Sequence, residues 1–249
     1  MKRVGLALVG LGNVGRRVLT HLIEREHILR DKYGLAFRVH CVVDSSGVAI
    51  SDDGFDLTRL VEHKNAALKL RELPEFVEGL TLAGALHRVD CGILLEASPV
   101  DLTTGEPGLS NCRTALERGL HLALANKAPL ALAHEELDRL AADAGVGILY
   151  SAAFCGGLPV LNIVRRDMVC GNVLAFRGIF NGTTNFILRE MLNGRDYADA
   201  LRETQERGIA EADPSLDVEG WDTAAKLVIA ANSITDTMIT LEDVSVTGI

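Results

Sequence analysis

Residues 4–9 (VGLALV) form a short apolar run that stops at Gly10, and residues 14–30 then carry Val14, Val18, Leu22 and Ile23 at spacings of three and four. That spacing is one face of a helix, so the segment reads as a strand, a glycine turn and a helix. Residues 37–43 (FRVHCVV) alternate, are rich in β-branched side chains, and run into Asp44-Ser45-Ser46-Gly47, which is turn chemistry. A second strand is predicted there. From 48 to 90 the chain is more polar, with Leu57–Leu70 as its best helix, and the apolar run Cys91–Ala97 reads as a buried strand. Residues 109–119 give a helix closed by Gly119, followed by a strand HLALANK, a helix His134–Gly145 and a short strand Val146–Ser151.

Strands alternating with helices at this spacing predict right-handed crossovers and a doubly wound parallel sheet over residues 1–150. After Gly156-Gly157-Leu158-Pro159 the pattern changes. A helix Val160–Val169, a strand Val173–Phe180 and helical segments at Phe186–Leu192, Tyr197–Arg207 and Val218–Asn232 predict a second domain of α+β type over 151–249. The last residues, LEDVSVTGI, alternate as a strand would and need a sheet to hold them. Either the strand Val173–Phe180 supplies it or the chain is a piece of a longer one.

Composition narrows the class. The 249 residues are 48% hydrophobic and 24% charged, the balance of a globular α/β protein. Lys and Arg number 25 against 34 for Asp and Glu, and a net charge of −9 argues against binding the phosphate backbone of a nucleic acid. The apolar runs fall far below the roughly 20 residues that span a bilayer, and no signal segment opens the chain, so no membrane association and a cytoplasmic location are expected. Cys41, Cys91, Cys112, Cys155 and Cys170 are scattered and odd in number, which fits a reducing compartment. No histidine or cysteine cluster has metal-ligand spacing, and no metal site is expected.

Candidate chemistry begins at Gly10-Leu11-Gly12-Asn13-Val14-Gly15. This GxGxxG follows a predicted strand and opens a predicted helix, the context of a Rossmann-type dinucleotide site. Gly10 would make the tight turn, Gly12 would let the backbone approach a pyrophosphate, and Gly15 would allow the helix to pack closely. Asp44, at the end of the second strand, could accept from a ribose 2′-hydroxyl, which favours NAD. It lies 29 positions beyond Gly15, however, and Ser45, Ser46, Arg16 and Arg17 could instead cradle a 2′-phosphate, so NAD and NADP both stay open. Ser98, in Glu96-Ala97-Ser98-Pro99, and Lys127, in Ala125-Asn126-Lys127, stand at carboxyl ends of strands, where open α/β sheets bind ligands. The densest constellation is Glu211, Asp213, Asp217, Glu219, Asp222 and Lys226. Asp222 and Lys226 lie four apart on one helical face, and one cation among several carboxylates suits a small amino-acid substrate, although such a pair alone is usually a solvated helix pair.

Taken together these motifs resemble homoserine dehydrogenase. The likeness rests on VGLGNVG, Ser98 with Thr104-Gly105-Glu106-Pro107, Ala125-Asn126-Lys127, Gly156-Gly157-Leu158-Pro159, Asn181-Gly182-Thr183-Thr184-Asn185 and the run from Glu211 to Lys226, in that order over essentially the whole chain. The resemblance implies a nucleotide-binding domain with a substrate and dimerisation domain, a homodimer, and NAD(P)-dependent interconversion of L-homoserine and L-aspartate 4-semialdehyde in threonine and methionine biosynthesis. It implies that Lys127, Lys226 and Asp222 are catalytic, that Glu211, Asp217, Thr183 and Gly182 bind substrate, and that Gly10, Gly12, Asn13, Val14, Gly15, Asp44 and Ser98 bind the nucleotide. Ser151, Phe154 and Cys155 depart from the family pattern, which puts its monovalent-cation site in question. Family members also continue past VTGI, so a fragment or a shortened second domain is expected. The alternatives are a catalytically silent NAD(P)-binding regulatory or scaffold subunit and a dehydrogenase for another small amino-acid alcohol.

Overall fold

The first apolar run becomes β1 (Lys2–Val9), in which Leu6, Ala7, Leu8 and Val9 are all buried, as a central strand covered on both faces requires. This computed structural model describes residues 1–210, 213–235 and 237–249. The chain divides into two units, Met1–Gly156 and Gly157–Ile249. In the first, β1 is followed by α1 (Asn13–Tyr33), which ends where Gly34 takes φ +65° and donates its N–H to Arg30. Then come β2 (Leu35–Asp44), β3 (Gly47–Ile50), α2 (Leu57–Asn65), β4 (Phe76–Val77), α3 (Leu82–Leu86), β5 (Ile93–Glu96), α4 (Gly108–Glu117), β6 (His121–Leu124), α5 (Ala128–Ala144), β7 (Ile148–Leu149) and α6 (Ser151–Phe154).

These seven strands form one sheet in the order β4-β3-β2-β1-β5-β6-β7. From β2 to β7 the neighbours pair parallel, while β3 runs antiparallel to β2 and β4 antiparallel to β3. The architecture is the expected α/β one, with an antiparallel hairpin added at one edge. Asp44 pairs with Gly47 across the two-residue turn Ser45-Ser46, so the predicted turn is a hairpin and its return strand is β3. A four-residue strand is too short to show its own periodicity, which is why the pattern missed it.

The chain leaves β1 toward β2 on one side and later returns to β5 on the other, so the carboxyl end of β1 is the point at which a doubly wound sheet opens a crevice. On one face, Leu6, Leu8, Leu19, Val39, Val42, Leu60 and Leu70 form a buried cluster. Each fully buried leucine contributes roughly 1.5–3 kcal/mol, so this packing fixes α1 and α2 against the strands whose ends carry the site. On α4 and α5, Arg113 holds Glu136 with two bonds of 2.7 and 2.8 Å.

The second unit contains α7 (Val160–Asp167), α8 (Gly182–Leu192), α9 (Tyr197–Glu206), α10 (Ser215–Val218) and α11 (Trp221–Ile234). Ala224, Ala225, Val228, Ile229, Ala230 and Ala231 make α11 apolar and buried, and it packs against α7 and the turn Leu241–Asp243. Ile187 of α8 and Ala200 of α9 are fully buried where those helices meet. The predicted strand Val173–Phe180 pairs with nothing among the described residues of this unit, and its residues adopt no ladder. A strand exists only by hydrogen bonding to a neighbour, and the terminal segment does not supply one. It is instead pinned to helices: Asn232 exchanges two bonds with Ile239, and the Ile249 N–H donates to Val218. Among the described residues, no helix is long and apolar enough to cross a membrane.

Candidate functional site

In the first unit the glycine turn is shaped by two close approaches. Gly10 has φ +90°, and a Cβ there would lie 2.2 Å from the Ala97 carbonyl oxygen. A Cβ on Gly15 would lie 2.0 Å from the carbonyl oxygen of Gly10, so only glycine lets α1 start this close to the turn. Gly12 differs: nothing stands within 4 Å of where its Cβ would be, and no side chain caps the helix it opens. Asn13 and Val14 are exposed, so the first-turn N–H groups face open space at the positive end of a 21-residue helix. Arg16 adds a cation, donating to Asn13 at 2.7 Å and Asn65 at 3.1 Å. A backbone cradle with room above Gly12 and positive potential fits a dinucleotide pyrophosphate.

At the neighbouring strand end, one oxygen of Asp44 accepts from the Ser46 N–H at 2.7 Å and the Ser46 hydroxyl at 2.6 Å, and the other accepts from Lys64 at 2.8 Å. Burial pushes the Asp44 carboxyl up, but the bonds from Lys64 and Ser46 outweigh it and hold the group below its ordinary range. Asp44 is thus an ionised carboxylate already neutralised by Lys64, a residue the sequence pattern did not single out. Serine, lysine and aspartate together present both charges to whatever sits on a ribose there.

Across the crevice lies a buried polar cluster. Glu96 is 1% exposed; it accepts from the Ser98 N–H at 2.7 Å and from the Asn111 amide at 3.0 Å. The Asn126 amide donates to the Ser98 hydroxyl and to the Pro99 carbonyl, both at 3.1 Å, and its own oxygen accepts from the Ala128 N–H at 3.0 Å. Lys127, half-buried, is the residue from which α5 departs, so its backbone is set by that last bond.

In the second unit the Asp222–Lys226 pair is no solvated pair. The two groups meet at 2.7 Å with side chains only 5% and 18% exposed. Lys226 also donates to the Phe180 carbonyl at 2.8 Å, which uses two of its three N–H bonds. Asn181 completes the group, donating to Asp217 at 2.6 Å and to Asp222 at 2.9 Å while its oxygen caps α8 by accepting from the Thr184 N–H. Thr183 is buried beside it, its hydroxyl 3.4 Å from the Ile209 carbonyl, and Gly182 has open space around its α-carbon. Two carboxylates, Asp217 and Asp222, are thus gathered by Asn181 beside one lysine, of whose three N–H groups two are bonded to Asp222 and Phe180. Such a site can hold an ammonium group and meet an oxygen at the same time. Glu211 lies outside the described residues. In the sequence Asn181 opens the motif Asn181–Asn185 without a role of its own, because the pattern predicts the helix from Phe186; the structure starts it at Gly182, which makes Asn181 its cap.

Comparison with known proteins gives a consistent picture. The sequence model of the homoserine dehydrogenase family matches residues 159–249. A homoserine dehydrogenase of Methanocaldococcus jannaschii is 38% identical over 98% of this chain and 73% of its own length. An NAD(+)-dependent homoserine dehydrogenase of Pseudomonas canavaninivorans is 36% identical over all of this chain and 71% of its own. Among solved structures, a putative homoserine dehydrogenase from Archaeoglobus fulgidus superposes with a TM-score of 0.84 at 35% identity, over 98% of this chain and 72% of that one.

Proposed function

The chain belongs to the homoserine dehydrogenase family, NAD(P)-dependent oxidoreductases, and on that premise we propose how its residues divide the work of interconverting L-homoserine and L-aspartate 4-semialdehyde. The observation that carries the reading is the hydrogen-bonded cluster of Lys226, Asp222, Asn181 and Asp217, in which Asn181 and Asp222 are buried and two carboxylates lie beside one lysine. Asp217, with Glu211, takes the substrate's ammonium group, and Thr183 and Gly182 line the place of its backbone-like end. When bound, the nicotinamide ring of NAD or NADP supplies or takes up a hydride at the hydroxyl-bearing carbon. Lys226 gives its proton to the carbonyl oxygen in the reducing direction and, as a neutral amine, accepts the hydroxyl proton in the oxidising one. Asp222 and the Phe180 carbonyl aim that group, and Lys127 stabilises oxyanion charge.

For the dinucleotide, Gly10, Gly12 and Gly15 with the Asn13–Val14 amides hold the pyrophosphate, Asp44 faces the ribose, and Ser98 faces the nicotinamide half. The five free cysteines fit a reducing cytoplasm, and exposed apolar residues of the second unit, Val169, Leu174, Ile179 and Leu192, fit its use in a homodimer. The first domain, in this reading, binds nucleotide and the second binds substrate and the partner copy. The direct test is to supply L-homoserine with NAD or NADP at alkaline pH and follow the reduced nicotinamide, with Lys226→Ala as control. Turnover lost in the variant supports the assignment. Nicotinamide binding without any turnover by the unaltered protein overturns it in favour of a silent nucleotide-binding subunit or another substrate.

A further inference from the structure

The start of α1 carries a group of polar side chains to which the reading above gives no part. The Arg16 guanidinium donates to the Asn13 side-chain oxygen at 2.7 Å, to the Asn65 side-chain oxygen at 3.1 Å and to the Gly12 carbonyl at 3.4 Å. A guanidinium has five N–H groups and no lone pair with which to accept, so both amides must turn their oxygens to it. The end left over on Asn13 and on Asn65 is therefore the NH2 group, and both residues are exposed. Arg16 thus makes two asparagines, each able to donate and to accept, into donors only. One cation with two NH2 groups suits an anion that has several acceptor oxygens.

The place of this group in the fold says which anion. Asn65 is the last residue of α2, and its neighbour Lys64 holds Asp44, at the end of β2, at 2.8 Å. The last turn of α2 therefore links Arg16 to the strand end where a doubly wound sheet carries the adenosine ribose of a dinucleotide. The pyrophosphate has its own donors in the first-turn N–H groups above Gly12. An acidic residue at the end of β2 takes ribose hydroxyls and repels a 2′-phosphate when it is bare. Asp44 is not bare: one oxygen accepts from the Ser46 N–H and hydroxyl and the other from Lys64. With Asp44 and Lys64 cancelling, Arg16 leaves this end of the crevice with a net positive charge. NAD brings no charge to that place, and NADP brings a phosphate.

We propose that Arg16, held by Asn13 and Asn65, binds the 2′-phosphate of NADP, so that this protein takes NADP(H) in preference to NAD(H). The proposal rests on the nucleotide-binding reading above and specifies it. Arg16 is the binding residue. Asn65 is its positioning residue: it fixes where the guanidinium points and adds an N–H of its own to the phosphate.

The test titrates NADPH and NADH against the full chain by their own fluorescence. The unaltered protein is expected to bind NADPH about tenfold or more tighter than NADH, the worth of one hydrogen-bonded charge pair. Arg16→Ala is expected to weaken NADPH by about that factor while NADH, which has no charge at this end, changes by less than about twofold. Asn65→Asp keeps an oxygen for Arg16 but puts a negative charge where the NH2 group was, so it is expected to weaken NADPH more than Asn65→Ala does, with little effect on NADH. A merely structural Asn65 gives the opposite order, and that order overturns the place given to it. Equal losses for the two dinucleotides in Arg16→Ala put the guanidinium on the pyrophosphate and overturn the proposal, as does an unaltered protein that binds NADH as tightly as NADPH. If Arg16→Ala does not fold, Arg16→Gln carries the same comparison with the same outcomes. An unaltered protein that binds dinucleotide without oxidising homoserine sinks the dehydrogenase reading while this comparison still decides the role of Arg16; one that binds neither NADH nor NADPH overturns both.

Discussion

The Asn181 amide donates to Asp222 at 2.9 Å across 41 residues of sequence, and the same side chain caps α8 through its oxygen. Capping and bridging are separable. Serine caps as well as asparagine but cannot reach two carboxylates, so Asn181→Ser is expected to keep the melting temperature and lower kcat/KM for homoserine by about tenfold or more, with dinucleotide affinity unchanged. Asn181→Ala should in addition lose about 1 kcal/mol of stability to urea. An Asn181→Ser enzyme of normal efficiency would show that the bridge does not organise the site.

Lys226 is held by Asp222 and the Phe180 carbonyl, which leaves its ammonium aimed and its stem packed. Lys226→Met keeps the stem and removes the proton carrier, and the loss in kcat should be about 100-fold to 10,000-fold, the range of positioned acid–base groups. Equilibrium titration with NADPH should show no change. Retained turnover would move proton transfer to another residue.

The glycines of the turn are not equivalent. Gly10→Ala places a methyl group against the Ala97 carbonyl at a positive φ, and it should destabilise the fold by about 2 kcal/mol or more, read by denaturant unfolding. Gly12→Val meets no neighbour in the protein and should leave unfolding almost unchanged while weakening dinucleotide binding at least tenfold, because its side chain enters the space of the pyrophosphate. Equal effects of both on stability would contradict the open cradle.

Asp44 carries a pH dependence whose sign is set by its partners. Its carboxyl titrates below the ordinary value of 3.8 when folded, so the protein gains stability from it above that value and loses this as pH falls through the folded value. Lys64→Ala removes the main opposing bond, and the acid limb of stability at pH 2–4 attributable to Asp44 should flatten or reverse in urea titrations. The bared carboxylate should also shift the ratio of kcat/KM values away from NADP and toward NAD, since it repels a 2′-phosphate. An unchanged ratio would remove this pair from the choice of cofactor.

The parallel strands, the glycine turn and the helices of the second unit were legible because each announces itself within a dozen residues, through period, cap or breaker. The edge hairpin was not: Gly47–Ile50 and Phe76–Val77 are shorter than any period that could reveal them. Val173–Phe180 failed in the opposite sense, since its alternation is local and a ladder is not. For the site, residue types and order pointed to Lys226 and Asp222, but whether an i,i+4 pair is solvated or buried depends on α8 and the Asn181 turn lying over it, a long-range fact. Glu96 left a trace as a lone charge closing an apolar run, and Lys64 left none, because only the fold brings α2 beside the end of β2.

The sheet of the first unit tapers to two-residue strands at both margins, Phe76–Val77 on one side and Ile148–Leu149 on the other. A margin this short offers a stray extended segment almost no unpaired backbone to grip, so fibrillar, edge-to-edge growth through this sheet is blocked from both directions. Crowding this unit to high concentration should therefore leave it dispersed, its long inner strands shielded by their own outermost neighbours.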